Sequence, residues 1–126
     1  MYKILLAEDS PSTRSLVVSA LEMIGDVEVV ESSSGFEALK ILPRHKFDVI
    51  ITDINMPDIN GLELLSFVKQ NPAYQHIPLI IITSEASERD REKGRALGAD
   101  EYLVKPIDPD ALQSVVSRYL GKRSGG

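Results

Sequence analysis

The chain has no cysteine among its 126 residues, which excludes a disulfide framework and a thiolate metal site and fits a reducing compartment. It also has no apolar run long enough to cross a bilayer. Met1-Tyr2-Lys3 leads into a short apolar stretch that ends in two acids, Glu8 and Asp9. That pattern is neither a signal peptide nor a membrane segment, so the expectation is a cytoplasmic chain with no membrane insertion. A basic surplus is missing as well. The 19 acids against 14 Lys and Arg give a formal charge of −5, so the surface as a whole repels phosphates and direct nucleic-acid binding is not expected. Finally, the first apolar run is followed by Glu8-Asp9-Ser10-Pro11 and not by a glycine-rich loop. A dinucleotide or flavin site is disfavoured, because its phosphates would meet acids.

What is present is a composition that is 43% hydrophobic, enough for one core without staples. Four apolar runs each end in a residue capable of phosphate or metal chemistry: Leu5-Leu6-Ala7-Glu8-Asp9, Val49-Ile50-Ile51-Thr52-Asp53, Ile80-Ile81-Ile82-Thr83 and Tyr102-Leu103-Val104-Lys105-Pro106. Runs of this length between helix-like segments are the mark of buried parallel strands. Ser10 can cap a helix with Pro11 in its first turn, followed by Leu16, Val17, Ala20, Leu21 and Ile24 at helical spacing. Val27 to Glu31 alternates weakly, as an edge strand does, and Gly35 to Leu42 is a short helix closed by Pro43. Gly61 to Lys69 reads as a helix that buries Leu62, Leu65 and Val68 or their neighbours. Ser87 to Leu97 reads as a helix with almost no apolar stripe, hence weakly anchored. Asp108 caps a last helix with Leu112, Val115, Val116 and Tyr119 on one stripe.

Strands alternating with helices predict a single-domain α/β fold, a doubly wound five-stranded parallel sheet covered on both faces. The flavodoxin-like strand order 2-1-3-4-5, a common one among doubly wound sheets, puts the two weakest strands at the edges. In that order the first and third strands adjoin at the switch point, where ligands bind beyond the carboxyl ends. Glu8, Asp9 and Asp53 would then crowd together, and like charges that close need a cation to ionise jointly. Hard oxygen donors with an open coordination sphere suit Mg²⁺. Asp9 alone reads as a helix-entry acid and Asp53 alone as a turn acid; acids closing two neighbouring strands are harder to dismiss. Thr83 and Lys105 can both donate to a charge carried on Asp53. The Lys105-Pro106 pair reads as a tight turn, its peptide bond cis or trans, that fixes where the lysine points.

Taken in order, these residues resemble the receiver domain of two-component response regulators, most similar to the stand-alone, chemotaxis-type members. The matching residues are Glu8-Asp9, Asp53 with Met56-Pro57 and Gly61, Thr83, and Gly98-Ala99-Asp100-Glu101-Tyr102-Leu103-Val104-Lys105-Pro106. That family is itself a standard example of the 2-1-3-4-5 order, so the order rests on known sheets and not on this sequence alone. The resemblance implies a receiver domain over residues 1–120, with 121–126 a flexible tail or linker remnant. It implies Asp53 as phosphoacceptor and Mg²⁺, with Mn²⁺ able to substitute, held by Asp9, Asp53 and the backbone carbonyl of Asn55, with Glu8 acting mainly through water. Thr83 and Lys105 would bind the phosphoryl oxygens, and Thr83 and Tyr102 would be the switch. Pro57, Gly61 and Pro106 would shape the turns. Asn55 and Glu85 would orient the water that ends the signal, giving a short-lived phosphoryl state.

The implied partners are a sensor histidine kinase or phosphotransfer protein, docking near Arg14 on the first helix, and an unidentified output target on the face of helix 4, strand 5 and helix 5. The chain would be a monomer or a weak, activation-dependent dimer. It would not be a conventional enzyme, although it would catalyse its own phosphorylation and dephosphorylation. Two alternatives stand beside this reading. An aspartate-nucleophile phosphatase of the haloacid-dehalogenase type needs a second acid two residues after the nucleophile, where this chain has Asn55. A phosphorylation-independent, receiver-like interaction module would have no use for the intact set of acids, Thr83 and Lys105.

Overall fold

The computed structural model describes residues 1–84 and 88–124, with the backbone alone from 122 to 124. Glu85 lies outside the described residues, as does Ser87, where the sequence placed the start of the fourth helix. The elements alternate strictly: β1 (Tyr2–Ala7), α1 (Pro11–Glu22), β2 (Val27–Ser32), α2 (Gly35–Ile41), β3 (Val49–Asp53), α3 (Gly61–Gln70), β4 (Leu79–Thr83), α4 (Glu88–Leu97), β5 (Glu101–Val104) and α5 (Pro109–Ser124). All pairings are parallel and the sheet order is β2-β1-β3-β4-β5. Pro43 does not stop α2 outright but sits within a 3₁₀ turn, Leu42–Arg44, that continues it.

The continuous apolar strands are indeed central, because each must face a helical layer on both sides. In β1, Ile4 and Leu6 pack with α1 and α5 while Leu5 and Ala7 face the other layer; β3 divides Val49 and Ile51 from Ile50, and β4 divides Ile80 and Ile82 from Leu79 and Ile81. Two cores result, one under α1 and α5 and one under α2 and α3. Each is lined by β-branched and leucine side chains whose full burial stabilises by roughly 1.5–3 kcal/mol apiece. By contrast, all four residues of β5 are only half-buried, as an edge strand permits. The register aligns Ala7 with Thr52, Asp53 with Ile82 and Thr83 with Val104. The strands therefore end at nearly one level, and whatever follows each of them emerges at one rim.

Capping fixes where the helices begin. The Ser10 hydroxyl accepts from the Thr13 amide (3.4 Å) with Pro11 next, and the Ser34 hydroxyl accepts from the Glu37 amide (3.1 Å). At α3 the Asn60 side-chain oxygen Oδ1 accepts from the Glu63 amide (2.9 Å) while the Glu63 carboxylate accepts from the Asn60 amide (3.1 Å), a reciprocal capping box.

Several side chains depart from the helical stripes read in the sequence. Leu16 is 41% exposed, because Val17, Ala20 and Leu21 already fill the contact of α1 with the sheet. Leu64 takes the fully buried place in α3 beside Leu65 and Val68, leaving Leu62 half-buried. In α5 the buried line is Leu112, Val116 and Leu120, with Val115 and Tyr119 at its margin. This helix runs on through Gly121 to Ser124, where the sequence placed a tail, the buried Leu120 anchoring the turn from which it continues. Among the described residues of α4, Gly94 alone is buried, in line with the missing apolar stripe.

Two glycines make opposite demands. At Gly61 a Cβ would overlap the carbonyl oxygen of Asp53, so the absent side chain is what lets α3 start against the end of β3. At Gly94 a Cβ would meet Tyr102 Cε2 at 3.7 Å and Leu62 Cδ2 at 3.8 Å, ordinary contacts. Gly61→Ala is therefore expected to lower stability by about 1–3 kcal/mol, and Gly94→Ala to raise it by about 0.5–1 kcal/mol through helix propensity. Urea unfolding followed by circular dichroism checks both; equal effects of the same sign would contradict the packing described.

Candidate functional site

The rim formed by the strand ends is assembled from short-range geometry first. β1 ends at Ala7, and the Glu8 amide still donates to the Ser32 carbonyl of β2 at 3.0 Å. This keeps Glu8 in line with the sheet and turns its side chain inward, where it is 0% exposed. One of its carboxylate oxygens, Oε2, accepts from the amide of Ser10, the cap of α1, at 3.1 Å. Arg14, one turn into α1, donates to the Glu8 carbonyl at 2.9 Å and pairs with Glu31 on β2 at 3.2 Å. Read in the sequence as part of a docking face, Arg14 also braces the corner that delivers the two acids.

Asp53 closes β3 and is 4% exposed. Its Oδ1 accepts from the Asn55 amide at 3.3 Å and its Oδ2 from Lys105 Nζ at 3.0 Å. The same ammonium lies 2.8 Å from Glu8 Oε1. Lys105 follows β5 directly, and its amide donates to the Thr83 carbonyl at 2.8 Å, carrying the strand pairing one residue past the sheet. The Lys105-Pro106 peptide is cis, one of the two alternatives the sequence left open. Thr83 ends β4 fully buried. Tyr102 lies on β5 opposite Ile81, two positions before the rim, and its ring has the Arg91 guanidinium 5.4 Å from its centroid. Asn55 and Pro57 are exposed on the loop that leaves β3, and the Gly61 amide closes the neck of that loop on the Ile54 carbonyl at 2.8 Å.

Glu8, Asp9 and Asp53 each offer an oxygen such that the three atoms lie within 4.8 Å of one another, with Asp9 exposed and the other two buried. Three carboxylates against one ammonium leave an excess of negative charge at this point. Glu8 Oε1 is buried and, although it is ion-paired with Lys105, it receives no well-directed hydrogen bond. An under-satisfied buried oxygen beside two further hard oxygen donors fits a divalent cation of the Mg²⁺ type. Asp9, being exposed, would leave such an ion a solvent-facing side on which to keep waters.

Burial pushes the Glu8 carboxyl above its ordinary range, the nearby Asp53 charge adds to this, and the Lys105 ammonium and Ser10 amide oppose it. For Lys105, burial works against the charge, but the Glu8 and Asp53 carboxylates outweigh it and the ammonium is held more firmly than usual. A shallow cleft of about 180 Å³, lined by Ser12, Thr13, Leu16, Lys105, Pro106 and Ile107, opens beside the lysine. The exposure of Leu16 is thereby accounted for, since it forms one wall of this cleft. One residue the sequence reading passed over is Asp58, whose carboxylate reaches α2; no local pattern marks that reach, because its partners there, the Gly35 and Phe36 amides, are more than twenty residues away.

A family model described as "Response regulator receiver domain" matches residues 4–117. The chain is 34% identical over 124 residues to a chemotaxis protein CheY homolog of Campylobacter jejuni, covering 98% of this chain and 95% of that protein. Chemotaxis protein CheY4 of Vibrio cholerae superposes with a TM-score of 0.87 at 37% identity, over 94% of this chain and 98% of the other. The signal receiver domain of a histidine kinase from Syntrophus aciditrophicus gives 0.89 at 32% identity, over 97% of this chain and 92% of the other.

The raised Glu8 carboxyl sets a pH dependence. The folded state holds this proton to higher pH than the unfolded chain does, so it favours the fold in acid and the advantage is lost as pH rises through the folded value. A cation needs the ionised form. Mg²⁺ affinity is therefore expected to fall with acidification already above pH 4.5, the ordinary value for a glutamate, and Glu8→Gln is expected to flatten that part of the profile. Calorimetric titration across this range checks it; a profile unchanged by the substitution would remove Glu8 from the cation's surroundings.

Proposed function

The chain belongs to the response regulator receiver domain family, and we propose that it works as a phosphorylation-dependent signalling switch with Asp53 as its phosphoacceptor. The observation that carries this reading is the setting of Asp53: a strand-end carboxylate held by the Asn55 amide and the Lys105 ammonium, with two further acids in reach of a common cation. The donor is a phosphohistidine on a sensor kinase or phosphotransfer protein, or a small acyl phosphate. An Asp53 oxygen attacks phosphorus, the new O–P bond forms as the bond to imidazole or to the acyl oxygen breaks, and the leaving group departs in line with the attack. A bound Mg²⁺, or Mn²⁺ in its place, neutralises charge on the phosphoryl oxygens. Asp9, Asp53 and the Asn55 carbonyl would hold it, with Glu8 acting through water.

Lys105 then exchanges its pairing with the Asp53 carboxylate for the phosphoryl oxygens, and Thr83 donates its hydroxyl to the same group. Thr83 and Tyr102 belong to adjacent strands, Thr83 opposite Val104 and Tyr102 opposite Ile81, and the shift of Thr83 is proposed to reach Tyr102 through this pairing. The population of the α4–β5–α5 face moves accordingly, and an output target binds it. Helix α4 suits such a shift, with Gly94 its one buried residue among those described. The cleft beside Lys105, walled by α1, suits the phosphoryl donor's docking. Signal decay follows from water attack on phosphorus, which releases phosphate and restores the carboxylate. Asn55, which is exposed, is proposed to orient that water, and Glu85 is proposed for the same task.

Labelling by acetyl phosphate in the presence of Mg²⁺ tests the assignment. Wild type is expected to take up the phosphoryl group and Asp53→Asn to lose labelling entirely. Labelling of the variant at the wild-type rate would overturn the choice of Asp53, and a wild-type chain that gave no Mg²⁺-dependent response to beryllofluoride would favour a phosphorylation-independent module.

A further inference from the structure

The loop that leaves the phosphoacceptor, residues 54–60, is fastened at its near end by its own neck, where the Gly61 amide donates to the Ile54 carbonyl at 2.8 Å. Its far end is fastened elsewhere. Asp58 accepts from the Gly35 amide (3.3 Å, Oδ1) and the Phe36 amide (3.1 Å, Oδ2), the first two amides of α2, and from the Ile59 amide (2.7 Å, Oδ1). The Ile59 amide above all, opposed by burial and helped by the Phe36 amide and, to a smaller extent, the Ser34 hydroxyl, holds the carboxyl below its usual range. Gly35 is buried against the same loop, and a Cβ there would overlap the Ile59 carbonyl oxygen. The close approach of loop and helix is thus built from both sides.

Capping of α2 does not by itself require this. Ser34 already serves as cap through the Glu37 amide at 3.1 Å, whereas the Gly35 and Phe36 amides are the orphans of the first turn that Asp58 takes up. Between the neck and Asp58 lies Asn55, exposed, whose amide donates to Asp53 Oδ1. Met56, the next residue, is 8% exposed and seated in the core beneath α2 and α3. The backbone at Asn55 is therefore suspended between a core anchor, the neck and the clamp on α2.

We propose that Asp58 is a positioning residue for the phosphoacceptor site: by clamping the loop to the start of α2 it fixes the Asn55 backbone against Asp53, and so couples α2 to the site. Its effect on metal rests on the reading that Asp53 and the Asn55 carbonyl hold Mg²⁺. The clamp itself does not.

The test compares Asp58→Ala with Glu37→Ala, which removes the acceptor of the Ser33 amide (3.2 Å) and the acid of the first turn, and so weakens the start of α2 without touching Asp58. Asp58→Ala is expected to weaken Mg²⁺ binding, read by calorimetry, by about 10-fold, the scale seen when an outer partner of a metal site is removed, and to speed exchange of the Asn55 amide in metal-free protein. Glu37→Ala is expected to lower stability in urea yet leave both readouts at wild type. Asp58→Asn, which keeps one acceptor oxygen, is expected to fall between wild type and Asp58→Ala. Wild-type Mg²⁺ affinity and Asn55 exchange in Asp58→Ala would overturn the proposal, and so would equal effects from Glu37→Ala. A wild-type chain that bound no Mg²⁺ would refute the metal reading, while the Asn55 exchange of the two variants would still decide the clamp.

Discussion

Three carboxylates are brought to the carboxyl ends of β1 and β3, and two of them, Glu8 and Asp53, are taken almost wholly out of water. Burying two like charges together costs several kcal/mol per ion unless each finds a partner. Among the described residues, Lys105 is the one cation that reaches both, at 2.8 Å and 3.0 Å. It comes from the far edge of the sheet, so β3, β4 and β5 must all end at one level for it to arrive. The register provides this, and the Lys105 amide on the Thr83 carbonyl prolongs it by one residue. A one-residue slip in β5 would turn the lysine to the opposite face.

The lysine only partly settles the electrostatics. With Glu8 pushed upward by burial and its Oε1 still lacking a directed hydrogen bond, the site retains an unmet demand for positive charge or for donors. In the proposed function a cation would answer that demand in the resting state, and a phosphoryl group on Asp53 would redirect it. The lysine would then be drawn toward new oxygens, with β5 and the helices beside it responding. Rigid parts and yielding parts are accordingly separated. β1, β3 and β4 are buried on both faces, while β5 is half-exposed and α4 is weakly seated. The loop after Asp53 belongs with the rigid parts, being fastened at its neck, at Met56 and at Asp58.

Most of the fold was legible because its signals are local and repeated. The unbroken apolar character of β1, β3 and β4 reports burial on both faces, Ser10-Pro11 reports a helix start, and weak alternation in Val27 to Glu31 reports an edge. The errors fall where a side chain's fate depends on what already occupies the space. Leu16 fits the helical period of α1 as well as Val17 does, but the sheet has no room for both, and Leu64 displaces Leu62 in α3 for the same reason. The continuation of α5 past Gly121 was missed because a glycine followed by basic residues resembles a helix end, while the anchor at Leu120 is tertiary.

By itself the sequence determined the kind of chemistry available: hard oxygen donors at two strand ends, a hydroxyl at a third and an ammonium at a fourth, in an order that resembles one family. Side-chain type and strand periodicity are encoded residue by residue, so these features need no knowledge of distant contacts. Only the tertiary structure decided which of the acids are buried, that one lysine bridges Glu8 and Asp53, and that Asp58 ties the loop after Asp53 to α2. Those outcomes depend on which groups compete for the same space and the same charge once the sheet has closed, and that competition is between residues far apart in the chain.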